Sequence, residues 1–143
     1  MNTVHTKLLL LVALLTPVAA GGQDSLYSAS SRAQGASFDI TVTETSREPT
    51  RSRLAIPGFH TREPSATKWL MCVYTDLALK RGFTHWVVAS PPEGSEVAVV
   101  GFSNTPNAVP KELLGSDYAV ERMRGKGMVS VERLLSLCGP RKY

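Results

Sequence analysis

The sequence is poor in the residues that most chemistries depend on. Its 143 residues hold two cysteines and three histidines, and no apolar run outlasts the one from Leu8 to Leu15. Two cysteines exclude a disulfide-dense scaffold, and an ordinary composition excludes collagen-like and fully disordered chains. A span of a bilayer needs roughly 20 apolar residues, far more than this run supplies. There is no HExxH and no Cys/His ligand spacing, so a zinc site would have to be assembled from scattered residues. The phosphate-cradling GxxxxGK[ST] loop and the GxSxG elbow are also missing. Nothing in the sequence asks for a cofactor or a metal.

What is present begins with an export signature. Residues 1–20, MNTVHTKLLLLVALLTPVAA, combine one charge at Lys7, the short apolar run and a small-residue end. That is the anatomy of a signal peptide, with Val18 and Ala20 at the −3 and −1 positions of a cleavage before Gly21. Pro17 ends the run, which argues against a membrane anchor. No cysteine follows for lipid attachment, so the expected product is exported, periplasmic or secreted, without a transmembrane helix. Subtracting Lys7 from the 16 Lys and Arg leaves 15 against 12 Asp and Glu, a formal +3. In an exported protein this excess points to an anionic envelope component, or to another envelope protein, more than to nucleic acid.

Residues 21–36 are small and polar, with Leu26 and Tyr27 as the only bulky apolar side chains, and read as a flexible leader. A single domain is expected over residues 37–139, with a tail at 140–143. Phe38, Ile40 and Val42 alternate with polar residues, the period of a half-buried strand. From Thr45 to Pro64 the chain carries three prolines, Gly58 and four arginines (Arg47, Arg51, Arg53 and Arg62) without sustained periodicity, and reads as a long loop.

Ser65 to Arg81 reads as a helix with Ala66, Leu70, Val73 and Leu77 on one face and Gly82 as its stop. Strands follow at Phe83–Ala89 and Glu96–Phe102 around the turn SPPEGS. Lys111 to Leu114 suits one helical turn, Tyr118 to Arg124 a further strand, and Ser130 the cap of a last helix bearing Val131, Leu134, Leu135 and Cys138. The order strand, helix, strand, strand, strand, helix predicts an α+β fold. Two helices would pack on one face of a small antiparallel sheet of about four strands.

The segment CVYTDLALKRGFTHWVV, above all Leu77, Ala78, Leu79, Arg81, Gly82, Phe83, Trp86, Val87 and Val88, resembles a family of small uncharacterised bacterial envelope proteins, many of them lipoproteins. VERMRGKG and the short apolar helix after it are similar to the closing part of that family. The resemblance covers about Ser65 to Cys138 and implies an envelope address without a known activity. The absent lipid-attachment cysteine sets this chain apart from many members.

Three features carry candidate chemistry. In an exported domain, Cys72 and Cys138 are most simply a disulfide, against the alternative of two buried free thiols. Arg122, Arg124 and Lys126 in RMRGKGMVS surround a strand-to-helix turn that suits a phosphate or carboxylate; the plainer reading is a turn with solvated charges. His85 faces opposite to Trp86, so if Trp86 and Val88 meet the helices, His85 lies on the second face with Phe83 and Val87. That face is either a binding surface or covered by the Arg-rich loop. Glu93, Glu96 and Glu121 form no recognisable carboxylate pair. The expectation is a non-enzymatic binding or assembly module; the alternative is a small exported hydrolase using His85 or His60.

Overall fold

A computed structural model describes residues 25–119 and 127–139. The proposed signal segment and tail lie outside them. Six strands and three helices follow one another as β1 (Ser28–Ser30), β2 (Thr41–Glu48), β3 (Arg51–Ala55), α1 (Pro64–Lys80), β4 (His85–Ala89), β5 (Val97–Ser103), α2 (Pro110–Leu114), β6 (Val129–Ser130) and α3 (Val131–Cys138). The strands form one antiparallel sheet in the order β1-β2-β3-β5-β4-β6. The fold is α+β as expected; the described residues hold two more strands than the sequence suggested, and the helical turn expected at Lys111–Leu114 is α2.

The long helix forms where its apolar period placed it. Ala66, Leu70, Val73 and Leu77 are buried against the sheet. It starts one residue before the expected Ser65: Pro64 occupies the first turn, where its missing N–H costs nothing, and Glu63 stands at the cap. It ends by reversal at Gly82, whose φ of 79° favours glycine. The Phe83 N–H donates to the Ala78 carbonyl at 2.9 Å and the Gly82 N–H to that of Leu79 at 3.0 Å, closing the last turn. This is the physical content of the Arg-Gly-aromatic step, and it delivers the chain directly into β4.

On the helix-bearing face, Trp86 of β4 packs with Ala98, Val100 and Phe102 of β5 and with Leu54 and Val42. The Trp86 indole N–H finds the Thr75 hydroxyl of α1 at 3.0 Å, so its one polar atom is satisfied in the core. α3 lies beside α1 on this face, burying Val131 and Leu134. Its first turn is capped by Ser130, whose hydroxyl accepts the Arg133 N–H at 3.3 Å. Cys72 and Cys138 are bridged, which joins the two helices.

The second face is covered, but not by a loop. Val87, Ala89 and Val99 pack under Leu114 of α2, with Leu113, Tyr118 and Met128 at the margin. Gly101 makes this approach possible, since a Cβ there would stand 2.9 Å from the Leu113 Cβ. Phe83, expected on this face, packs instead in the main core, stacked on Phe102. Of the arginines expected in a covering loop, Arg47, Arg51 and Arg53 lie on the β2–β3 hairpin and Arg62 just before α1; of these, Arg51 and Arg53 tie down the turn after α2. Arg51 donates to the Leu114 carbonyl at 3.1 Å, and Arg53 pairs with Asp117 at 2.7 Å.

Two readings of the sequence need correction here. Thr45 to Ala55, expected in a loop, is the second half of β2 and all of β3, paired from Glu44 against Leu54 to Glu48 against Arg51. The alternation was hidden because two inward-facing positions hold polar residues, Glu44 and Ser52, each 1% exposed. The described part of the supposed leader, from Ser25 on, also folds: Tyr27 and Ala29 are buried in the main core, and β1 pairs with Thr41–Thr43 of β2. The buried Ser31 builds the connection, its hydroxyl donating to the Phe38 carbonyl and accepting the Ile40 N–H, both at 2.8 Å. Of the further strand expected from Tyr118 to Arg124, Tyr118 and Ala119 lie in no strand and the rest falls outside the described residues.

Candidate functional site

Three buried polar residues, Glu44, Ser52 and Asp76, gather where β1, the β2–β3 hairpin and the end of α1 meet. Glu44 is the centre. Its carboxylate is buried, which by itself pushes its pKa up, but the hydrogen bonds it accepts outweigh burial and hold it below the ordinary carboxylate value. Arg47 donates from Nε at 2.9 Å and from its terminal nitrogen at 2.5 Å, the Ser52 hydroxyl at 2.6 Å, and the Tyr27 backbone N–H at 2.9 Å. The last bond matters for topology. Tyr27 returns its carbonyl to the Glu44 N–H at 2.8 Å, so the chain pairs with both backbone and side chain of one residue before it departs from β2.

A second carboxylate holds the same tyrosine. The Tyr27 hydroxyl donates to Asp76 of α1 at 2.8 Å, and Lys80, one turn on, stands 3.7 Å from Asp76 and 5.1 Å from the centre of the Tyr27 ring. Arg81 completes the cluster. Its guanidinium donates to the Ser52 hydroxyl at 2.8 Å, to the Arg51 and Pro49 carbonyls at 3.2 and 3.1 Å, and to the Glu48 carbonyl, while lying 4.8 Å over the Phe102 ring. Burial lowers its pKa, an effect the Glu44 carboxylate opposes. The helix end is thus fastened to the hairpin turn by one side chain.

Above this cluster opens a groove of about 490 Å³. One wall is residues 25–28, Leu77 lies among its lining residues, and Arg47, Lys80 and Arg81 surround it. Among the described residues, every charged side chain that lines it is cationic. Glu44 and Asp76 sit beneath, buried. A smaller depression of about 280 Å³ near Gly58 differs in kind, since Arg32 and Arg62 share it with Asp39 and Glu63.

The residues singled out from the sequence fall differently. Arg122, Arg124 and Lys126 lie outside the described residues. The His60 Nε2–H faces the Pro92 and Ser95 carbonyls at 3.1 and 2.9 Å, pinning the β3–α1 connection to the β4–β5 turn. His85 shares a hydrogen bond of 2.9 Å between Nδ1 and the Thr84 hydroxyl. Among the described residues neither histidine pairs with a carboxylate, and no three His, Cys, Asp or Glu gather as a metal set would require. Sequence reasoning marked Arg47 within the Arg47–Arg62 stretch as a second place for a site but missed its grouping with Tyr27, Lys80 and Arg81. The further signal available was Tyr27 itself, a large aromatic in an otherwise small and polar stretch.

Compared with known proteins, the chain matches no family model, no curated protein and no solved structure. No helix of the described residues is long and apolar enough to cross a membrane.

Proposed function

We propose that this chain is an exported bacterial envelope protein acting as a non-enzymatic binding or assembly module for an anionic partner. The observation that carries the reading is the groove whose charged lining is cationic throughout. The Cys72–Cys138 bridge supports the compartment, because disulfides persist where the surroundings are oxidising. The resemblance of the Arg81-Gly82-Phe83 segment to small envelope proteins points the same way. The basic stretch of Arg122, Arg124 and Lys126 belongs to the proposal as a second place where an anion would be held.

The test is a titration of the oxidised protein against polyphosphate and against vesicles containing an anionic lipid, at low and at high salt. Binding that weakens as salt screens the charges is the expected result. Absence of salt-sensitive binding in both titrations would overturn the proposal. An Arg122→Ala/Arg124→Ala variant reports whether the stretch contributes.

A further inference from the structure

We infer that the groove between residues 25–28 and the end of α1 is a site for a phosphate-bearing group, with Lys80 as its principal cation. The inference rests on the binding role proposed above and gives it a location and a ligand chemistry. Cations in the last turn of a helix are expected from the helix dipole alone, and Lys80 and Arg81 satisfy that expectation. Arg47 does not, since it comes from β2, yet it lines the same groove from the other side. Three cations from two separate elements therefore surround one space.

Their partners decide which of them a ligand meets. Arg47 is oriented by its two bonds to Glu44, and Arg81 by the Ser52 hydroxyl and backbone carbonyls. Both guanidiniums are thus held in place without freedom to swing outward. Lys80 is the adaptable member: its side chain is half exposed, and its Asp76 contact is 3.7 Å, longer than a tight charge-assisted bond. An ammonium is a compact charge that can turn its donors toward an anion.

The charge favours phosphate over carboxylate. Ser25 and Ser28 line the groove together with the three cations. A carboxylate offers one charge and two coplanar oxygens, whereas a phosphate monoester offers three acceptors in a tetrahedral array and is largely dianionic at neutral pH. The groove is larger than a phosphate group, and Leu26 at its edge is 49% exposed, so the phosphate would be carried on a larger molecule. A soluble phosphate monoester and the headgroup of phosphatidic acid share this chemistry.

The experiment uses the oxidised protein and its Lys80→Gln and Lys80→Arg variants. One arm measures affinity for glycerol phosphate by calorimetry, the other for vesicles containing phosphatidic acid against phosphatidylcholine vesicles. Circular dichroism melting establishes that each variant folds. In whichever arm the wild type binds, Lys80→Gln should weaken binding by about tenfold and Lys80→Arg should restore most of it. Binding in the first arm identifies a soluble phosphate ester as sufficient; binding only in the second identifies the lipid. Wild-type binding that Lys80→Gln leaves unchanged overturns the groove and leaves the broader binding role standing. No wild-type binding of either probe overturns the groove as a phosphate site, and the polyphosphate titration at two salt concentrations then decides the broader role separately.

Discussion

Removing the Glu44 carboxylate should release the first strand of the sheet. In Glu44→Ala the Tyr27 N–H and the Ser52 hydroxyl lose a buried acceptor, and Arg47 loses both bonds of its ion pair. Breaking a buried ion pair by deleting one member costs about 3–5 kcal/mol. Arg47 retains 25% side-chain exposure and can turn back toward water, which places the expected loss near the lower end, about 3 kcal/mol. Glu44→Gln preserves the volume and one acceptor oxygen but sets an amide NH2 against the guanidinium, and should cost about 2 kcal/mol. Urea unfolding followed by tryptophan fluorescence reads these losses, since Trp86 is buried and Trp69 packs against the same core. Amide exchange at Tyr27 and Ser31 reads the local release. The pH dependence has a definite sign. Because Glu44 is held below the ordinary value of 4.5, its contribution is complete above that pH and disappears as pH falls through the lower, folded-state value. The wild type should therefore lose stability in acid more steeply than Glu44→Gln. A Glu44→Ala protein that unfolds within about 0.5 kcal/mol of the wild type, with Tyr27 exchange unchanged, would refute the latch.

Other perturbations test other joints of the fold. The bridge between Cys72 and Cys138 closes a loop with a sequence separation of 66, for which the chain-entropy model gives about 4 kcal/mol; Cys72→Ser/Cys138→Ser should lose a comparable amount in denaturant titration, and unfolded, unreduced wild type should show no reactive thiol. Gly101→Ala should force α2 away from the sheet because of the 2.9 Å approach to Leu113, at a cost of about 1–3 kcal/mol, with exchange quickening in α2 but not in α1. A melting temperature unchanged by Gly101→Ala would count against the close packing of the second face.

The parts of this fold that were legible in the sequence are those where local pattern and tertiary environment agree. α1 combines an apolar period with a glycine stop, β4 and β5 are rich in aromatic and β-branched residues around a Pro-Gly turn, and α3 has a serine cap. The disulfide could be inferred from compartment and helix adjacency. The β2–β3 hairpin was illegible because Glu44 and Ser52 stand where apolar residues would have completed the period, and prolines and arginines around them imitate a loop. β1 was illegible for a different reason: three residues cannot display a period, and its anchors lie at Glu44 and Asp76, distant in sequence. The groove inherits both difficulties. Its residues come from the supposed leader, the supposed loop and a helix end whose cations already had a local explanation.

The most direct test of the central claim, that this domain holds an anion between its first strand and the end of α1, is residue-resolved. Titrating isotope-labelled, oxidised protein with glycerol phosphate and following amide and side-chain shifts should move Ser25 to Ser28, Arg47, Lys80 and Arg81 together along one saturable curve. Shifts confined to the segment around Gly127 and Met128, to the depression near Gly58, or absent altogether would contradict it.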